Sequence, residues 1–93
     1  MYSFVYTNSF LKDIKKLTKA GSLDVKSFNS LLDLLETNKA LPIKYKNHPL
    51  KGNLLGYFDC HLKDNIVLLY KKNNKEKTII LARIGTHADV LNV

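Results

Sequence analysis

At 93 residues and 10.6 kDa the chain amounts to one small domain, spanning 1–93, too short for a multidomain enzyme and near the lower limit for folding without metal or disulfide staples. Its 45% hydrophobic and 25% charged residues, with four Gly and two Pro, describe a globular chain and exclude disorder or collagen-like repetition. Fifteen basic against eight acidic residues leave a net charge of +7, which calls for a polyanionic partner without saying which one.

Tyr2 to Tyr6 is aromatic and β-branched and reads as a first strand; the polar Thr7-Asn8-Ser9 that follows can cap a helix. Phe10, Ile14 and Leu17 then recur at helical spacing as far as Gly21, a C-terminal cap, with Lys15, Lys16 and Lys19 in the last turns. Ser22 is a capping residue for a second helix, in which Val25, Phe28, Leu31, Leu32 and Leu35 repeat at three and four residues up to about Thr37. Leu41-Pro42 stops helical structure, and residues 43–53 form a basic, Pro- and Gly-punctuated connection.

Three strand signals follow. Residues 56–62 alternate so that Tyr57, Asp59 and His61 share one face and Phe58, Cys60 and Leu62 the other. Lys63-Asp64-Asn65 is a turn, and Ile66 to Tyr70 is unbroken apolar sequence, as in a central strand covered on both faces. Thr78 to Ile84 is the last strand, with Ile79, Leu81 and Arg83 expected on one face and Ile80, Ala82 and Ile84 on the other. The fold class is therefore α+β: two N-terminal helices packed on one face of a largely antiparallel sheet, in the order β-α-α-β-β-β.

The charge is unevenly spread. Up to Asn38 there are five lysines against four acids; from Lys39 onward nine lysines and one arginine face four acids. All three histidines, His48, His61 and His87, and the single arginine, Arg83, fall in this basic part. No Gly-rich phosphate loop, His-x3-His pair or Cys cluster is present, so nucleotide hydrolysis and structural zinc are poorly supported and no cofactor or metal is expected. A lone cysteine, the lack of a leader-like start and a longest apolar run of five residues fit a soluble protein of a reducing cytoplasm, with no membrane role.

What remains is a set of proton-transfer groups on a basic background. Asp59 and His61 lie two apart on one strand, close enough for the carboxylate to orient the imidazole; Arg83 and His87 bracket the end of the last strand. If those strands present the same face, an acid, a base and a fixed cation converge. That combination suits metal-free cleavage of RNA, in which a base takes the 2′-hydroxyl proton, an acid protonates the departing oxygen and a cation steadies the phosphoryl oxygens. Each residue also has an ordinary explanation: surface histidines, an Asp59–Lys pair, a strand arginine, tyrosines that pack. Cys60 points away from the Asp59 face and reads as core.

Tyr45-Lys46-Asn47-His48-Pro49-Leu50-Lys51-Gly52, Gly56-Tyr57-Phe58-Asp59-Cys60-His61 and Arg83-Ile84-Gly85-Thr86-His87-Ala88, in that order and spacing, resemble the YafQ-type toxins of the RelE/ParE superfamily over nearly the whole chain. The resemblance implies the toxin of a type II toxin-antitoxin system: a ribosome-dependent endoribonuclease that cuts translated mRNA in the ribosomal A site. It would be monomeric when free and neutralised by an acidic antitoxin in a hetero-oligomer. It assigns His87 as general acid, His48 as base, Arg83 as phosphate clamp, and Asp59 with His61 as positioning or proton-shuttling groups. Lys44, Lys46, Lys51 and Lys63 would then meet RNA phosphates. Two departures stand out. The family's second acid aligns with Asn65, beside Asp64, and its C-terminal aromatic is Leu91 here. A gyrase-directed ParE-like toxin and a non-catalytic RNA- or ribosome-binding module are the alternatives.

Overall fold

The computed structural model describes residues 1–91, apart from the side chain of Asp64. The elements run β1 (Ser3–Tyr6), α1 (Asn8–Ala20), α2 (Val25–Glu36), β2 (His48–Pro49), β3 (Tyr57–His61), β4 (Ile66–Asn73), β5 (Thr78–Thr86) and α3 (His87–Leu91). The sheet order is β1-β5-β4-β3-β2; β1 pairs with β5 in parallel and every other pairing is antiparallel. The α+β architecture with a largely antiparallel sheet is therefore as the sequence indicates, with two additions: the two-residue β2 and the short α3.

Helix boundaries follow local chemistry. The Thr7 hydroxyl accepts from the Phe10 N–H at 3.1 Å and donates toward the Leu81 and Ala82 carbonyls, so one side chain caps α1 and ties its start to β5. Gly21 closes α1 in the left-handed conformation, φ 67°, its N–H bonded to the Leu17 and Thr18 carbonyls. Nothing lies within 4 Å of the space a Cβ would fill there, so Gly21→Ala is a strain-only change. It should lower stability by about 1 kcal/mol, read as a Tm fall of roughly 4–8 °C. The α2 cap is Asp24, not Ser22: its carboxylate accepts from the Ser27 N–H at 3.2 Å, a bond that holds this carboxyl below its ordinary range. Of the four residues between the helices, Gly21 caps α1 and Ser22 and Leu23 make the turn, which moves the cap of α2 to Asp24.

The main core lies between α1, α2 and the sheet, where Phe10, Leu17, Leu31 and Leu35 meet Cys60, Leu68, Ile79, Leu81 and Ile84. Leu81 and Ile84 both face it, so the strict alternation expected along β5 fails. The register passes from Leu69–Arg83 to Tyr70–Leu81, leaving Ala82 as the extra residue of a β-bulge that resets the faces. The helices are not all on one side either. Gly85 registers with Val67, on the face opposite Leu68 and Ile84, and a Cβ on Gly85 would touch Val90 of α3 at 3.4 Å. α3 thus covers the second face over buried Val67 and Leu69, which explains the unbroken apolar run of β4.

Candidate active site

The second face carries the histidines. Residues 43–45 form a single 3₁₀ turn whose Tyr45 is buried in the core; Lys46 then takes the left-handed conformation, φ 47°. The Asn47 carboxamide oxygen accepts from the Tyr70 hydroxyl at 2.6 Å, and the Leu50 N–H bonds the Tyr57 carbonyl. His48 is thereby held between anchors on both sides, opposite Asp59 in the β2–β3 pairing. This explains why a basic, loop-like segment can hold a defined imidazole.

His48 Nδ1 lies 2.8 Å from the Lys46 carbonyl oxygen and 2.9 Å from Asp59 Oδ1. One ring N–H cannot serve both acceptors. Its direction favours the carbonyl, since neither carboxylate oxygen of Asp59 receives a hydrogen bond among the described residues, although that side chain is 1% exposed. The carboxylate therefore acts on the ring through charge at close range. With Nδ1–H donated to Lys46, Nε2 is the lone-pair nitrogen, the form in which an imidazole accepts a proton. The sequence places Asp59 beside His61; the antiparallel register puts it against His48 instead.

His61 ends β3 and His87 begins α3. Their ring centroids are 6.4 Å apart, and His61 lies 6.3 Å from His48, so the three imidazoles form a row with His61 in the middle. No hydrogen bond joins the rings among the described residues. His87 is fixed from its own helix: the Thr86 hydroxyl accepts from the Asp89 N–H at 3.2 Å, and buried Val90 docks the turn on the sheet. Beside His61 a cavity of about 330 Å³ is lined by Ser27, Lys44, Tyr45, His61, Leu62 and Lys63. Lys44 and Lys63 thus border the row, the former lying over the Tyr45 ring and the latter 3.5 Å from Asp24. Lys46 and Lys51 are exposed on the same connection.

Arg83 is not in contact with the row. Asp59 and Arg83 both register on Leu69, one strand apart on either side, roughly 10 Å between backbones. The bulge turns Arg83 toward the edge of β5 beyond the end of β1, where α1 crosses. There Asp13 takes its Nε at 2.6 Å and its Nη2 at 3.1 Å, bonds that hold the guanidinium pKa above its ordinary value. Asp13 is a partner of Arg83 that the sequence reading misses, although a signal exists: at i+3 from Phe10 and i−4 from Leu17, an acid stands on the apolar stripe of α1 and needs a partner.

Cys60 is fully buried on the opposite face, and burial, followed by the nearby Asp59 charge, pushes its thiol up to about 12, so it is inert packing as expected. Tyr70 is likewise buried, its phenol raised mainly by burial, and is unavailable for stacking on bases. Asn65 sits exposed in the turn at φ 63°, a backbone role, while the Asp64 side chain lies outside the described residues. Leu91 is half-buried at the end of α3.

The family model of the YafQ bacterial toxin of type II toxin-antitoxin systems matches residues 2–92. The chain belongs to the YafQ toxin family. An Escherichia coli relative described as mRNA interferase toxin YafQ is 37% identical over 84 residues, covering 89% of this chain and 88% of that protein. Among solved structures, a metal-bound toxin from Helicobacter pylori is 38% identical with a TM-score of 0.88, over 97% of this chain and 99% of that one. The toxin of the E. coli DinJ–YafQ complex is 34% identical with a TM-score of 0.84, over 97% and 98%. The family resemblance read from the His-Pro-Leu-x-Gly, Asp-x-His and Arg-x-Gly-Thr-His segments is therefore correct, as is the fold it implied. No helix among the described residues is long and apolar enough to cross a membrane.

Proposed function

We propose that this YafQ-family toxin is a cytoplasmic, ribosome-dependent endoribonuclease that cuts translated mRNA in the A site by metal-independent acid–base chemistry. The observation that carries this reading is the row of three imidazoles with the buried Asp59 carboxylate against its first member. His48 Nε2 takes the proton from a ribose 2′-hydroxyl. The 2′-oxygen attacks the adjacent phosphorus, the bond from phosphorus to the 5′-oxygen breaks, and His87 gives that oxygen a proton. The products are a 2′,3′-cyclic phosphate and a free 5′-hydroxyl. His61, between the two, relays a proton that resets them. The nucleophile is supplied by the substrate itself, so the scheme needs no metal to generate one.

Several features support the rest of the reading. Lys44 and Lys63 line the cavity beside His61, Lys46 and Lys51 are exposed on the connection that carries His48, and all four suit ribosomal or messenger phosphates, whose contribution falls with salt. The E. coli relative forms a toxin–antitoxin complex with DinJ, and a net charge of +7 suits an acidic antitoxin here. A gyrase-directed toxin would need none of the three histidines. The direct test is primer extension on an mRNA incubated with the protein, with and without translation and with and without EDTA. Cuts only in translated message, unchanged by EDTA, are expected. Cuts in naked RNA overturn ribosome dependence, loss of cuts with EDTA overturns metal independence, and ribosome binding without cuts leaves only a binding module.

A further inference from the structure

Asp13 accepts three hydrogen bonds at one side chain: Arg83 Nε and the Ile84 N–H on Oδ2, at 2.6 and 3.1 Å, and Arg83 Nη2 on Oδ1, at 3.1 Å. The carboxylate is 14% exposed and the arginine 37%. The Ile84 contact satisfies a backbone donor on the edge of β5 that β1 no longer covers. The two Arg83 contacts go further. Side-on pairing uses Nε and Nη2 and leaves the Nη1 side without a protein partner among the described residues. The guanidinium borders a cleft of about 340 Å³ with Lys16, Thr86 and Asp89, between α1 and the turn that leads into His87.

We infer that Asp13 is a positioning residue: it locks Arg83 by two-point pairing so that the remaining edge of the fork meets a phosphodiester of the bound RNA. This rests on the endoribonuclease reading above. A free arginine must give up rotamer freedom to grip a phosphate; one already held at two points does not. The carboxylate also cancels most of the long-range pull of Arg83, so the pair contributes orientation and not attraction. Removing Asp13 should therefore slow turnover without weakening capture of the ribosome, and that loss should vanish once Arg83 is already Ala, which a merely structural role would not produce.

The test measures cleavage rate on mRNA-programmed ribosomes, over a range of ribosome concentrations, for wild type, Asp13→Asn, Arg83→Ala and the double variant. Asp13→Asn keeps an acceptor for the Ile84 N–H. It is expected to lower kcat at least tenfold with KM unchanged or lower, and to cause no further loss when Arg83 is already Ala. A wild-type rate for Asp13→Asn beside a slow Arg83→Ala overturns the positioning role alone, as does an equal added loss in the double variant. A wild-type rate for Arg83→Ala overturns the phosphate role of Arg83, and the inference with it. Where Asp13→Asn fails to fold, Asp13→Glu decides: it keeps the charge and both oxygens but displaces them by one methylene, so Arg83 stays present and is no longer held in the same place. A kcat at least tenfold below wild type supports the inference; anything closer to wild type overturns it.

Discussion

Replacing His87 with Ala should reduce cleavage of translated mRNA by about 10²–10⁴-fold, the share of the rate that a positioned proton donor supplies. The fold should be untouched. His87 is exposed at the start of α3, and what holds that helix is the Thr86 cap and the buried Val90, neither of which needs the imidazole. Its melting transition should stay within about 0.5 kcal/mol of wild type, as for other exposed substitutions. Binding to an antitoxin should persist, so growth arrest and cleavage are lost together while the complex can still be isolated. Cleavage at more than about a tenth of the wild-type rate would sink the assignment of His87 as acid.

The second large effect is expected at Asp59, and it has opposite signs for stability and activity. A fully buried carboxylate that receives no hydrogen bond costs folding energy unless a neighbouring charge offsets it. Asp59→Asn removes the buried charge, the larger part of that cost, with nearly the same shape. Its Tm should be unchanged or higher, by up to about 1 kcal/mol or roughly 4–8 °C. Cleavage should nonetheless fall by at least about tenfold, because in the proposed mechanism the charge 2.9 Å from His48 Nδ1 stabilises the imidazolium that forms when His48 takes a proton. Thermal melts and primer extension on the same preparation check both halves. Full activity in a stabilised variant would make Asp59 a leftover of packing. A large Tm loss would make it part of the β2–β3 pairing, with any loss of cleavage secondary.

Asp59, fully buried without a hydrogen bond, and Asp13, on the apolar stripe of α1, both depart from local folding rules, and both stand against a cation or imidazole of the proposed site. Lys46, a non-glycine in the left-handed conformation, offers its carbonyl to His48.

Much of the molecule is written in short-range sequence. The apolar spacing of α1 and α2, the Gly21 stop, the alternation of β3 and the buried run of β4 follow from periodicity and capping, because those depend on residues a few positions apart. The histidines and Asp59 could be nominated from residue type and the family's motif order. Their arrangement could not. That His48 meets Asp59 is decided by a two-residue strand, and that His87 meets His61 by a five-residue helix seated beside Gly85; neither element is long enough to leave a period. The bulge at Ala82 turned Arg83 to an acid 70 positions earlier in the chain. The +7 charge and its C-terminal concentration were determined by the order of residues along the chain, whereas which cation is locked and which imidazoles stand in line came from sheet register and long-range packing.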